Sequence, residues 1–149
     1  MRINRLLAVL AALVAVAAPA GGAATTEPFR AELHEADVCG PGIDLCGTGV
    51  VHSFGTATTT LAFTSFAPGP GETCVTGTAD RAIVLDRDGS TLQLEIAGTI
   101  CRQKIDGTYE VVGGTGAFAG ASGGGTVRGI AIPGVPGGTV HLVGTLALA

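Results

Sequence analysis

One stretch limits the folds open to this chain more than any other: residues 109–127, which read Y-E-V-V-G-G-T-G-A-F-A-G-A-S-G-G-G-T-V. Tyr109, Val111 and Val112 favour β structure, and Gly113 and Gly114 then predict a sharp turn, since glycine reaches positive φ without steric cost. Gly116 allows a second bend. Phe118 stands among residues too small to fill space, so its ring is expected to anchor the loop in a core. A new strand is expected over residues 125–132, carrying Val127, Arg128, Ile130 and Ile132.

Two chemical motifs overlap this stretch, and neither fits. The run from Gly114 to Gly120 resembles a dinucleotide fingerprint, but its last glycine falls one residue too far and no helix follows to hold a pyrophosphate. Gly120, Ser122 and Gly124 satisfy G-x-S-x-G. A nucleophile elbow needs a strand, a turn and a helix within an α/β sheet, and the sequence around Ser122 supplies no helix.

The text G-G-T-G-A-F-A-G-A-S-G over residues 113–123, after a strand containing Tyr109, resembles the shared hallmark of plant dirigent proteins and allene oxide cyclases. Secreted bacterial proteins with an allene-oxide-cyclase-like barrel carry similar text. The strand at residues 89–98, G-S-T-L-Q-L-E-I-A-G, is also similar to the one those families place before the hallmark. The resemblance covers residues 89–128 and implies an up-and-down antiparallel β-barrel, often trimeric in the plant members. It implies a small-molecule pocket inside the barrel, which holds an unsaturated epoxide in the cyclases and phenoxy radicals made by a separate oxidase in the dirigents. Tyr109, Gly113, Gly114, Thr115, Gly116, Phe118, Gly120, Ala121 and Gly123 match the hallmark, with structural work. No catalytic residue of either family finds a counterpart here.

The 149 residues make one domain. Residues 1–24 read as a secretory signal: Arg2 and Arg5 precede an apolar run at residues 6–18, and Ala18-Pro19-Ala20 or Gly22-Ala23-Ala24 offers the cleavage site. That run is short for a membrane span, and no later stretch is long enough. The expected mature protein, residues 25–149, is a single exported domain without a membrane span. Of the eight basic residues, six remain after cleavage against twelve acidic ones, a net charge of −6. This argues against nucleic acid and anionic membranes as partners. The chain has no Trp and one Tyr, so stacking platforms for bases or sugars are scarce.

Cys39, Cys46, Cys74 and Cys101 make an even set in an exported chain, which predicts two disulfides. No C-x-x-C spacing favours a metal instead. Three connectivities are possible. Cys39 and Cys46 bracket a short loop and are the expected partners, leaving Cys74 with Cys101. These flank a hairpin that turns near Asp86-Arg87-Asp88-Gly89. If those four residues form the loop, Leu85 faces Ser90 and paired residue numbers sum to 175, as Cys74 and Cys101 do. Directly opposed residues come close enough for a disulfide, whereas a two-residue turn would put the cysteines on a diagonal.

Strands are expected near residues 29–38, 47–54, 56–66, 72–85, 90–102, 108–112, 125–132 and 139–148, with a short helix as an alternative for residues 30–36. Residues 67–71, 104–107 and 133–138 are expected to be loops or turns. About eight short strands without a long helix predict an all-β fold, an up-and-down antiparallel barrel stapled by disulfides. At that strand number a barrel interior is just filled or holds one small ligand. Several strands are apolar on both faces, which predicts a homo-oligomer, dimer or trimer, packed through the barrel's outside.

Candidate chemistry is sparse. Asp86-Arg87-Asp88-Gly89-Ser90 begins like a calcium loop but has Thr91 where such a loop needs Gly, and no closing Glu. His34, His52 and His141 each lie alone in a strand-like run, and no metal or cofactor is expected. Glu95 and Arg128 interrupt apolar runs. Pointing inward, either would need a partner and could polarise a ligand; pointing outward, they would sit in ion pairs on a wet face. Glu95, Tyr109, Phe118 and Arg128 are the candidates for a pocket in the lumen. The expected function is an extracellular barrel that binds a small apolar molecule, in a dirigent-like or cyclase- or isomerase-like role. The alternative is a non-enzymatic barrel acting through its outer surface, as an inhibitor, adhesin or envelope component.

Overall fold

The computed structural model describes residues 23–37, 39–134 and 137–149. The leader assigned to residues 1–24 lies outside the described residues but for its last two. Eight strands follow one another: β1 (Thr25–Asp37), β2 (Leu45–Val51), β3 (Gly55–Pro68), β4 (Cys74–Leu85), β5 (Thr91–Cys101), β6 (Lys104–Gly114), β7 (Ser122–Ala131) and β8 (Gly138–Leu148). Each pairs antiparallel with the next, and β8 pairs with β1 from Thr25↔Leu148 to Glu35↔Gly138, so the sheet closes into an eight-stranded barrel. Closure removes the free sheet edges on which extended chains aggregate.

The pattern that drives this is alternation. Along β1, Phe29, Ala31 and Leu33 are buried while Arg30, Glu32 and His34 are exposed; along β8, Val140, Leu142 and Leu146 are buried while His141 and Val143 are exposed. A strand points successive side chains to opposite faces, so this spacing fills a lumen on one side and meets water on the other. The short helix considered for residues 30–36 does not form. Those residues are all strand, with β2 on one side and β8 on the other.

Several boundaries differ from expectation: β2 spans Leu45–Val51 where 47–54 was expected, β3 runs on to Pro68 into the expected loop, and β7 starts at Ser122 where 125 was expected. The chain is already paired at Thr25, four residues before the first strand expected from the sequence. The β5–β6 turn is Arg102-Gln103, with Arg102 at φ +57°. Residues 104–107 continue the strand because Gly107 faces Gly98 directly, and two residues without side chains pack there without bending the sheet. Finally, β6 runs on through Gly113 and Gly114, the extra residue being absorbed by a bulge opposite Gln93 and Leu94.

The β4–β5 hairpin has the predicted register. Leu85 N–H donates to the carbonyl of Ser90 at 2.9 Å across the four-residue loop, and Cys74 lies directly opposite Cys101. Both disulfides form, Cys39–Cys46 and Cys74–Cys101. Both lie at the same end of the barrel, the end where β4 starts and β5 finishes.

The glycine-rich stretch closes the opposite end. A single 3-10 turn at Gly116–Phe118 folds over the barrel, and the Phe118 ring is 0% exposed, with its centroid 4.9 Å from that of Phe54. The turn is tied to the start of β5. Thr115 N–H donates to the carbonyl of Thr91 at 2.8 Å, Thr91 N–H donates to Thr115 Oγ1 at 3.1 Å, and Ala117 N–H donates to Ser90 Oγ at 2.9 Å. The glycines are dictated by crowding here. A Cβ on Gly114 would lie 2.3 Å from the Phe118 carbonyl oxygen, and one on Gly116, at φ +58°, would lie 2.3 Å from Ser90 Oγ.

Candidate functional site

The two halves of the lumen differ. Towards the plugged end, Phe29, Leu85, Leu92, Phe118 and Leu146 fill it, each at most 2% exposed. Towards the disulfide end it is hollow, with a cavity of about 250 Å³. Leu61, Phe63, Ile96, Ile100, Ile105 and Val140 supply most of its apolar wall, and Phe66 and Val75 stand at its edge, 59% and 42% exposed. The difference comes from side-chain size. Gly77, Gly98 and Ala131 line the cavity and contribute little or no side chain to fill it.

Among the described residues, two charged side chains line the same cavity, Glu35 and Arg81. Arg81 is 3% exposed and Glu35 5%. Arg81 Nη1 donates to Glu35 Oε1, and also to Thr59 Oγ1 at 2.9 Å. The register brings the three together. Glu35 on β1 faces Gly47 on β2, which in turn faces Thr59 on β3, so no side chain stands between Glu35 and Thr59. Arg81 on β4 lies opposite Leu61, one inward step along from Thr59, and reaches across to both. Burial of either charge alone would be prohibitive; paired and hydrogen-bonded, they are tolerated. Arg81 Nε is nevertheless buried with no partner.

The four residues singled out from the sequence divide. Tyr109 and Phe118 do face the lumen, but in its filled part, and neither lines the cavity. The Tyr109 ring packs against Phe29 with centroids 6.1 Å apart. Its hydroxyl is buried without a hydrogen-bond partner, and burial pushes its pKa up to about 12. Glu95 and Arg128 point outward and are exposed, so they do not belong to a lumenal site. Each neighbours an inward residue, Leu94 or Val127, and alternation alone turns it to water. Arg128 Nε lies 3.9 Å from Asp106 Oδ1, a wet ion pair on the outer face.

The remaining candidates are all on the surface. His34 and His141 both approach the exposed Glu32 carboxylate, at 3.1 and 3.7 Å, and His52 is exposed. Ser122 is exposed at the first position of β7, with a strand following it and no helix. Asp88 Oδ1 accepts from Ser90 N–H at 2.9 Å, which holds the Asp88 carboxyl below its ordinary range and marks the loop as a hydrogen-bonded turn. Among the described residues, no three His, Cys, Asp or Glu side chains are grouped to hold a metal ion.

Glu35 and Arg81 escaped the reading of the sequence. The signal for both was present. Continuing the inward series Ala31, Leu33 by one step gives Glu35, and extending Leu85, Ile83 backwards by one step gives Arg81. Charge assigns such residues to the outside by default, and here period two overrides that default. No protein-family model, curated protein or solved structure matches the chain.

Proposed function

We propose that this protein is an exported barrel that binds a small apolar molecule in the disulfide end of its lumen. The observation that carries the reading is the cavity itself. It is apolar over most of its wall and has two convergent polar groups, Arg81 and Glu35, at one place. That is the usual make-up of a small-molecule site. Its volume of about 250 Å³ falls just under the roughly 300 Å³ at which ligand pockets commonly begin, so the ligand is small. The dirigent-like or cyclase-like role implied by the hallmark around Phe118 belongs to the same reading: the plug closes one end, and the guest is held at the other. The buried guanidinium supplies the polarising group such a role needs.

Native mass spectrometry of protein purified from its own culture tests this. The reading expects a small, defined mass carried by the wild-type protein and lost from Ala79→Leu, which adds bulk to the cavity wall. Wild-type and variant spectra free of any bound mass, even after incubation with culture extract, would contradict it.

A second reading rests on the outer surface, where Val50, Val112, Ile130 and Val143 are 46–64% exposed. Four large apolar side chains on the outside favour contact with another protein or a second copy of this chain. The same spectra distinguish the readings: a dimer or trimer without bound ligand supports the surface reading.

A further inference from the structure

We propose that the lumenal site selects uncharged, carbonyl-bearing molecules and rejects carboxylates. The inference rests on the lumenal-ligand reading above and assigns the chemical class of the guest. A guanidinium has five N–H donors. Two are used in Arg81, those on Nη1 that reach Glu35 and Thr59. That leaves three, on Nε and Nη2, and Nε is buried without a partner. Nε is too enclosed to be touched from the cavity, so the donors a guest can meet are those on Nη2, and a guest that presents an acceptor oxygen to them gains a hydrogen bond to a charged donor. A hydrocarbon of the same shape does not.

Charge balance excludes the acids. Arg81 is already neutralised by Glu35, and among the described residues the cavity wall carries no second cation. A carboxylate guest would therefore bring an uncompensated negative charge into a low-dielectric space beside the Glu35 carboxylate, which is strongly disfavoured. An ammonium guest fails for the mirror reason, beside Arg81. A ketone, aldehyde, ester or lactone oxygen accepts from the guanidinium and leaves the net charge of the site at zero. The apolar remainder of the guest then lies against Ile96, Ile100, Ile105 and Val140.

Three near-isosteric probes test this on the full protein with both disulfides formed: acetophenone, ethylbenzene and benzoate, titrated and followed by methyl NMR of the cavity residues. Acetophenone is expected to bind about tenfold or more tighter than ethylbenzene, the value of a hydrogen bond to a charged donor, and benzoate weakest of the three. The infrared carbonyl stretch of bound acetophenone is expected at lower wavenumber than in hexane, a readout that needs no variant. The Glu35→Leu/Arg81→Met double variant is expected to bind acetophenone and ethylbenzene equally. Equal binding of the two by the wild type, or a preference for benzoate, would overturn the assignment while leaving the lumen a binding site. Failure of all three to bind would overturn the lumenal reading and this inference with it.

Discussion

Glu35 and Arg81 are separated by 46 residues and three strand crossings, yet they meet inside the barrel as its one buried ion pair among the described residues. Removing one partner leaves the other charged and unpaired. Glu35→Leu alone and Arg81→Met alone are each expected to lower stability by about 3–5 kcal/mol, whereas the double variant recovers most of the loss. Urea unfolding of the three variants checks this. Additive losses would show that the pair is not a unit.

Phe118 closes the end of the lumen away from this pair. Phe118→Ala is expected to cost about 3–5 kcal/mol, the usual range for deleting a buried aromatic ring. Gly114→Ala is expected to be destabilising as well, though it removes no contact, because its Cβ would meet the Phe118 backbone at 2.3 Å. Thermal unfolding measures both. A neutral Gly114→Ala would mean that the plug turn is not held against the strand.

Tyr109 carries a buried hydroxyl with no partner. Tyr109→Phe is therefore expected to be neutral or to raise the melting temperature, since it removes an unsatisfied polar group and keeps the ring. The pH dependence gives a second check. The folded-state pKa is raised from 10.0 to about 12. Between those values the unfolded chain loses the phenol proton before the folded one does. Stability is thus intact below pH 10 and falls as pH rises from 10 towards 12. The Tyr109→Phe variant is expected to lack that part of the slope.

The two disulfides close loops of different size. Cys39–Cys46 spans a sequence separation of 7 and Cys74–Cys101 one of 27. Loop-closure entropy predicts losses of about 2 kcal/mol for Cys39→Ala/Cys46→Ala and between about 3 and 4 kcal/mol for Cys74→Ala/Cys101→Ala. Calorimetry of the two double variants gives the order. The reverse order would point to strain relief in place of chain entropy.

Much of this architecture could be read from residue order because two kinds of signal were local. Alternation of apolar and polar residues marked β1, β5 and β8 as strands. Asp86-Arg87-Asp88-Gly89 gave a loop length, which in turn placed Cys74 opposite Cys101. The aromatic in the glycine run, Phe118, gave the plug. The site was less legible because it depends on distance across the barrel. Nothing near Glu35 in the chain announces Arg81, and the gap between Glu35 and Thr59 exists only because Gly47 lies between them in the closed sheet. Glu95 and Arg128 drew attention because they interrupt apolar runs, but both of their neighbours along the strand face in, so the charges face out. The turn at Arg102-Gln103 was hidden for a related reason. Gly107 suggested a bend, and only its partner Gly98 shows why the strand continues.

The account turns on guest binding in the hollow half of the lumen. Titration of the methyl-labelled protein with a small neutral ketone measures this directly, residue by residue. Saturable shifts are predicted at Ile96, Ile100, Ile105 and Val140, with Val51, Leu85 and Leu92 at the plugged end unmoved. Shifts confined to the outer Val50, Val112 and Val143, or no saturable shift at any methyl, would contradict it.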